Sequence, residues 1–511
     1  MGLITAPRLR AYRYCISAAF CMLLYGYDAS AFNAVQGYTE FKDHFRHPDA
    51  NVIGSVNTAY TVAAIIAGFF VSPWMSNTFG RRIAIFVGAF CVIIATFMQT
   101  FSPRTIAPYI VGRAVIGWGQ GIALPAAATY ISEVAPTEIR GRVLSFYQVF
   151  YSVGSFFCFW CAFGTTRAPD SIGNWRWQSV TLLQLLCPLM ICSSMLFCPE
   201  SPRWLVAHGY IDKARAVLQK TRAAENVEDE LRGIEEAITY EQTQLAGISY
   251  KQFIVDPSVR WRFFLAVVIN FGQQATGQGS LNSYSTIIYS KVFSSNSTVQ
   301  LINALNATLG ILFTLNATWM VERFGRKTIL IGGALGQAAC MFAVSLVGSQ
   351  TPTGPNGEKS IGVAVGIVIL LFSFIVFYKP SWGATVWIYS SEIFSMQTRA
   401  AGVAMATQTQ NVANAILQQA FPAFLNKCGF YTFFFFMGFN IFLAIFCWWL
   451  LPETKGVSLE DIDAVFGSKS HRAAGQVIMD EAERRSVRKE PLSPTADEEK
   501  AEVSEVRREV V

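Results

Sequence analysis

Carboxamide side chains recur at helical spacing within long apolar stretches of the chain. Gln274, Gln278 and Asn282 are four residues apart, which places them on one face of a helix. Gln410 and Asn414 are one helical turn apart in another apolar stretch. Carboxamides donate and accept hydrogen bonds, as recognition of a hydroxyl-rich small molecule requires. Amides also join transmembrane helices to one another, and this second interpretation stays open.

Two charged residues lie inside apolar runs and therefore need an explanation. Asp28 is surrounded by apolar residues, where an acid costs roughly 2.5–3.5 kcal/mol on membrane-insertion scales. Arg113 lies in a different run, followed by Gly117 and Gly121 at four-residue spacing. Such a glycine face permits close approach of a neighbouring helix. We expect each charge to have a partner or a function.

The remaining reactive residues form no catalytic or metal-binding pattern. Cys158 and Cys161 make a lone CxxC inside an apolar run, which we interpret as packing. No nucleophile with a neighbouring base, phosphate loop or metal-ligand cluster is evident. The sequence predicts a protein that is not an enzyme and has no cofactor. The four histidines are scattered through polar segments: His44, His47, His208 and His471.

The composition indicates a protein that lipid surrounds. Hydrophobic residues make up 52% of the 511, and charged residues only 14%, against about 25% in soluble domains. So few charges cannot cover the surface of a soluble protein of this size. The net charge is +6, without a block of like charges resembling a nucleic-acid patch. We expect the bilayer, and no nucleic acid, as a partner.

Apolar runs of about 20 residues, the length that crosses a bilayer as a helix, occur twelve times. We predict an all-α polytopic membrane protein with two six-helix bundles. The predicted spans are 12–35, 53–75, 83–101, 106–128, 143–166, 178–198, 260–290, 300–321, 328–348, 361–388, 400–424 and 431–451.

Lysine and arginine are concentrated in alternate connections, including both terminal segments and the long middle loop. The positive-inside rule places these segments in the cytoplasm, which requires an even number of spans. We expect a multi-pass protein of the plasma membrane. The predicted parts are a cytoplasmic N-terminus (1–13), an N-terminal bundle (14–198), a cytoplasmic loop with short amphipathic helices (199–259), a C-terminal bundle (260–451) and a largely disordered cytoplasmic tail (452–511).

The two halves of the chain repeat each other. Phe79-Gly-Arg-Arg82 matches Phe324-Gly-Arg-Lys327, and Tyr130-Ile-Ser-Glu133 matches Tyr389-Ser-Ser-Glu392 at the same place in each half. Repeated bundles that rock about a central site are a known transporter design. We expect charge pairs at these cytoplasmic helix ends to latch the halves together in the outward-open state. The predicted gating residues are Arg81, Arg82, Glu133, Arg140, Glu322, Arg326, Glu392 and Arg399.

Residues 14–460 resemble the sugar-porter branch of the major facilitator superfamily, especially its fungal proton-coupled members. The resemblance rests on a series of short motifs in a fixed order along the chain. They are Gly26-Tyr-Asp28, Arg113-Ala-Val-Ile-Gly117-Trp-Gly119, Glu133…Arg140-Gly-Arg142, Pro199-Glu-Ser-Pro-Arg203, Gln273-Gln274-Ala-Thr-Gly277, Trp382-Gly383, Glu392-Ile-Phe394 and Pro452-Glu-Thr-Lys-Gly456.

The resemblance implies a twelve-helix transporter that binds a small carbohydrate. Several family positions for sugar contacts differ here, including Gly279, Ser283, Gly310, Ala384 and Asn411. The substrate is therefore open among a hexose, a disaccharide, a sugar acid or another polyhydroxylated metabolite. Positions that match the family's sugar contacts are Gln148, Gln273, Gln274, Trp382, Gln410 and Asn414.

The resemblance also implies proton symport through Asp28 and Arg113. In proton-coupled members, an acid at the Asp28 position pairs with an arginine at the Arg113 position. Protonation of Asp28 would break the pair and change the favoured gating state. A permanent structural ion pair is the alternative for these two residues. Alternatives for the whole protein are an exporter of a sugar-like metabolite and a sugar sensor that does not transport.

Overall fold

The structure is a computed structural model that describes residues 6–222, 227–244, 256–352, 359–394 and 399–454. These residues form twelve long helical spans that agree with the predicted ones. Spans 1–6 are Ala6–Val35, Ala50–Thr78, Arg81–Thr100, Ala107–Val134, Thr137–Thr166 and Trp175–Phe197. Spans 7–12 are Pro257–Ser290, Asn296–Phe324, Arg326–Gln350, Ile361–Glu392, Arg399–Cys428 and Thr432–Leu450.

Three of the spans are not both long enough and apolar enough to be identified as membrane helices from these two properties alone. Eight segments pass such a criterion among the described residues, and one of them, Gly402–Leu450, contains spans 11 and 12. Spans 4, 7 and 8 do not pass it. Polar side chains inside a membrane usually face the protein interior or a cavity, so these three spans are candidates for lining a site.

Glycine lets helices within the N-terminal bundle touch backbone to backbone. A Cβ atom added at Gly26 of span 1 would lie 2.0 Å from the carbonyl oxygen of Tyr151, and one at Gly154 of span 5 would lie 2.0 Å from that of Leu23. Gly117 meets the carbonyl of Tyr60 in the same way at 2.1 Å. The close approach predicted for the glycine face of span 4 is confirmed.

The two six-helix halves meet mainly through span 2 on span 11 and span 5 on span 8. Asn33 of span 1 closes one end of this interface. Its Nδ2 donates to the carbonyl of Asn282 and to Ser285 Oγ, both at 2.7 Å. Its Oδ1 accepts from the backbone N–H of Thr286 at 3.1 Å. We call this end the Asn33 face, and the other end, where Arg81 and Arg326 begin spans 3 and 9, the basic face.

Three helices lie in the described part of the loop between the halves. They are Pro202–Ala207, Ile211–Thr221 and Val227–Gln244. Leu231 is buried in an apolar cluster that these helices form together, and Ile234 and Ile238 pack against it. The tail from residue 455 and parts of the loop lie outside the described residues.

We predict that Gly154→Val prevents normal packing of spans 1 and 5, because its side chain would overlap the Leu23 carbonyl. Overpacking costs about 1–3 kcal/mol, so the purified variant should unfold several degrees lower. Gly164→Val in the same helix is the matched control, since nothing lies within 4 Å of its added Cβ. Equal unfolding temperatures for the two variants would contradict the packing.

Candidate functional site

Span 7 is broken where its polar stripe passes the middle of the protein. The helix Pro257–Ala275 stops, Gly277 adopts φ +95°, and a second helix runs from Gln278 to Ser290. Only glycine adopts this backbone conformation readily. The break turns the carboxamides before and after it in different directions, so the stripe does not remain one straight face.

Gln273 and Trp382 are held by hydrogen bonds inside the C-terminal half. Gln273 Nε2 donates to the carbonyl of Trp382 at 2.7 Å, and Gln273 Oε1 is also buried. Trp382 is fully buried, and its indole N–H donates to the carbonyl of Leu330 at 3.1 Å. In this conformation Trp382 therefore fills the helix interface, and its contact with a substrate stays a prediction.

Gln274 and Asn414, two other predicted substrate contacts, both lie close to Gly279. A Cβ atom added at Gly279 would lie 2.6 Å from Gln274 Oε1 and 2.8 Å from Asn414 Oδ1. Asn414 Oδ1 also accepts a hydrogen bond from Gln418 Nε2 at 2.9 Å. Gln410 Oε1 is buried and has no hydrogen-bond partner among the described residues. The absence of a side chain at Gly279 therefore lets the amide oxygens of Gln274 and Asn414 approach its backbone closely.

A cavity of about 60 Å³ lies between the two halves, large enough for roughly four waters. Spans 5, 7, 8 and 10 line it, so both halves contribute. Its polar lining residues are Tyr151, Ser152, Ser155, Gln278, Asn282, Ser285, Tyr289, Asn306 and Lys379. Asn282 Nδ2 donates to Tyr151 Oη at 3.0 Å across the interface.

Asp28 and Arg113 are both buried, but their side chains do not form the predicted ion pair in this conformation. Gln120 Nε2 donates to Asp28 Oδ2, and Tyr60 Oη donates to Gln120 Oε1. Arg113 Nη1 instead donates to the backbone carbonyl of Asp28 at 3.3 Å, and its guanidinium stacks 4.8 Å from the centre of the Tyr60 ring. The carboxylate is thus occupied by an amide rather than by the guanidinium.

The predicted gating pairs lie within the halves rather than between them. Arg81 Nη2 donates to Glu133 Oε1 at 3.1 Å, and Arg326 Nη2 donates to Glu392 Oε1 at 2.7 Å. Arg81 begins span 3 and Glu133 ends span 4 of one bundle, and the second pair repeats this arrangement. The expected latch between halves is therefore not formed by these pairs in this conformation.

Two further acids complete the repeat. Glu200 accepts from the backbone N–H groups of Arg81 at 3.0 Å and Arg82 at 3.2 Å. Glu453 accepts from those of Arg326 at 2.9 Å and Lys327 at 3.0 Å. Each acid caps the positive end of the helix that follows a Gly-Arg turn. Burial raises the pKa of Glu200, while these N–H donors oppose that shift.

The sequence model of the family described as "Sugar (and other) transporter" matches residues 14–466. The chain belongs to the sugar transporter family. It is 29% identical to a quinate permease of Neurospora africana over 92% of this chain and 91% of the relative. It is 27% identical to a high-affinity glucose transporter of Kluyveromyces lactis over 88% of this chain and 83% of the relative.

The fold of this sugar transporter family member also matches a solved structure, the inward open conformation of the xylose transporter XylE from E. coli. The TM-score is 0.75 at 22% identity, over 89% of this chain and 99% of that one. A XylE structure described as partially occluded inward open gives a TM-score of 0.73. These matches establish the major facilitator fold for the chain.

Four predicted site residues of this transporter have side chains outside the described part of the structure: Gln148, Arg140, Glu322 and Arg399. The sequence interpretation missed four others: Lys379, Gln120, Glu200 and Glu453. Lys379 was detectable as the single charge inside span 10, and Gln120 as a polar residue two turns after Arg113. The matched Pro-Glu-Ser and Pro-Glu-Thr segments marked the two capping acids.

We predict that Arg326→Glu lowers transport about tenfold or more, because two acids would then face each other at Glu392. Hydrogen bonds to charged groups contribute about 1.5–3 kcal/mol each, and 1.4 kcal/mol corresponds to a factor of ten. Substrate uptake by purified protein in liposomes is the measurement.

The double exchange Arg326→Glu with Glu392→Arg should recover part of this loss, since it restores opposite charges. Lys327→Glu is the control, because it makes the same charge change at a residue without an ion pair among the described side chains. A double variant no better than either single variant would argue against a functional pair.

Proposed function

We propose that this sugar transporter family member is a secondary transporter that moves a sugar or related polyhydroxylated small molecule by proton symport. We place it in the plasma membrane with both termini in the cytoplasm, as the distribution of lysine and arginine favours. Import is the proposed direction.

One observation carries the proposal: a hydroxyl- and amide-lined cavity lies between two halves that are joined at the Asn33 face. Both halves supply groups that can bind hydroxyls, such as Tyr151 from one and Asn282 from the other. A ligand held by both halves would be sensitive to their relative position. This is the geometry that alternating access requires.

If the basic face is cytoplasmic, the closed Asn33 face is extracellular. The structure then corresponds to a state that opens toward the cytoplasm. Opening to the outside would break the three hydrogen bonds of Asn33 and bring the basic ends of the halves together. The ion pairs of Arg81 and Arg326 hold each half rigid during such a motion, because they lie within the halves.

Asp28 and Arg113 are the proposed coupling pair. In the present conformation Gln120 holds the Asp28 carboxyl group, which leaves the ion pair with Arg113 unformed. A second conformation in which the pair forms would make protonation and conformation depend on each other. The free energy available to drive transport is about 2.3 kcal/mol per charge for each 100 mV of membrane potential, and about 1.4 kcal/mol per proton for each unit of the pH gradient.

The names of the relatives support a small polyhydroxylated substrate. One relative is described as a quinate permease and another as a glucose transporter. Both align along most of this chain. The two relatives therefore suggest two candidate classes of substrate, a neutral sugar and a hydroxylated acid.

The test is uptake of labelled glucose, xylose and quinate by cells that lack their own transporters for these compounds, at pH 5 and pH 7.5. We expect uptake to be faster at pH 5, because the inward proton gradient is then larger, and to collapse with a protonophore. Asp28→Asn should lose accumulation against a gradient, while downhill exchange persists.

Equal uptake at both pH values, unaffected by protonophore and by Asp28→Asn, would make the protein a uniporter with a structural Asp28. Surface-expressed protein without any uptake would contradict import. Efflux from preloaded cells would then identify an exporter, and its absence would favour a sensor. Asp43→Asn is the matched control, since Asp43 is an exposed acid outside the spans.

A further inference from the structure

Lys379 places a positive charge in the cavity between the halves. It is the first residue of a π-helical segment, Lys379–Thr385, in the middle of span 10. It lines the cavity together with Asn282, Ser285 and Asn306. The coupling and gating residues described above do not account for it.

The position of Lys379 does not allow it to reach the membrane surface. It lies 18 residues after Ile361 and 13 residues before Glu392, the two ends of span 10. At about 1.5 Å per residue, the nearer end is roughly 20 Å away. A lysine whose ammonium group is to remain in the membrane interior needs a counter-charge or a polar cavity.

Among the described residues, no acid forms an ion pair with Lys379, and no Asp or Glu lines the cavity. The other side chains that line the cavity are neutral. They are amides, hydroxyls and the apolar side chains of Leu371 and Ile375. The cavity therefore has one positive charge and several groups suited to hydroxyls, without an internal anion to balance the charge.

We propose that Lys379 binds the carboxylate of a polyhydroxylated monocarboxylic acid, and that the substrate belongs to this class rather than to neutral sugars. The inference rests on the proposed function, because it assigns the substrate class of the same site. The ammonium pairs with the carboxylate, while the neighbouring amides and hydroxyls bind the hydroxyl groups. A neutral sugar would leave the buried charge without a counter-ion.

This assignment changes the charge that moves in each cycle. A neutral sugar carried with one proton moves one positive charge inward. A monoanion carried with one proton moves none, so its transport responds to the pH gradient and not to the membrane potential. The two substrate classes are therefore distinguishable by the dependence of transport on voltage.

The first measurement is ligand binding to the purified full-length protein. Binding is detected as a rise in the unfolding temperature of the protein. Quinate and D-glucuronate are the acid probes, and D-glucose and myo-inositol the neutral ones. We expect the acids to bind and the neutral compounds to bind at least about tenfold more weakly. Lys379→Gln should weaken acid binding about tenfold or more, and Lys379→Arg should retain part of it.

Lys427→Gln is the control, because Lys427 is exposed at the end of span 11, outside the cavity. The unfolding temperature of each variant without ligand shows whether it is folded. Neutral compounds that bind as tightly as the acids, or acid affinity unchanged in a folded Lys379→Gln protein, would overturn the proposal. Failure of wild-type protein to bind either acid would also overturn it.

Uptake into liposomes separates this inference from the proposed function. Acid binding without uptake would contradict the transport function and leave the binding assignment supported. Glucose uptake that rises with an inside-negative potential, and that Lys379→Gln leaves unchanged, would support transport and overturn the acid substrate. Quinate uptake that depends on the pH gradient and does not change with the membrane potential would support both the transport function and the acid substrate.

Discussion

The structure depends on the cost of placing polar groups where there is no water. Within a bilayer each buried donor or acceptor needs a partner in the protein, because lipid supplies none. Asn33 satisfies this requirement across the interface of the halves, Gln273 through a backbone carbonyl of span 10, and Asp28 through Gln120. Lys379 lines the cavity without an ion pair among the described residues, so it is a site where a substrate can complete the pairing.

The repeated contacts of the two halves also provide partners for the polar groups at the ends of helices near the membrane surface. In each half an acid from beyond the sixth span caps the third, and an Arg–Glu pair joins the third span to the fourth. Ser201 Oγ donates to Glu133, and Thr454 Oγ1 donates to Glu392 at 2.7 Å. Because these contacts stay inside one half, each bundle can rotate as a unit while the interface between them changes.

Much of this architecture was predictable from sequence. The twelve spans follow from apolar runs of fixed length, and the two halves from the repeated Gly-Arg turns. The polar stripe of span 7 indicated a central site, and the structure places Gln278 and Asn282 at the cavity. These features are local or periodic, so a single chain displays them directly.

The partners of the charged residues were less predictable, because they depend on which spans meet and in which conformation. Glu133 pairs with Arg81, which is 52 positions away in the chain. The side chains of Asp28 and Arg113 do not pair in this conformation, and a sequence does not specify one conformation. Trp382 lies in the π-helical segment of span 10, and its indole N–H donates to the Leu330 carbonyl in this conformation, a partner that sequence alone does not identify.

Charge balance connects the two central ionisable residues. In the proposed cycle, Asp28 takes up one proton and Lys379 binds one carboxylate, so the loaded protein gains no net charge. Moving an uncompensated charge through the membrane would couple the conformational change to the potential, at about 2.3 kcal/mol per 100 mV. A transporter that carries an anion with a proton avoids this dependence. Asp28 lies in the N-terminal half and Lys379 in the C-terminal half, so in the proposed cycle the proton and the carboxylate bind to different halves while the net charge of the whole protein stays constant.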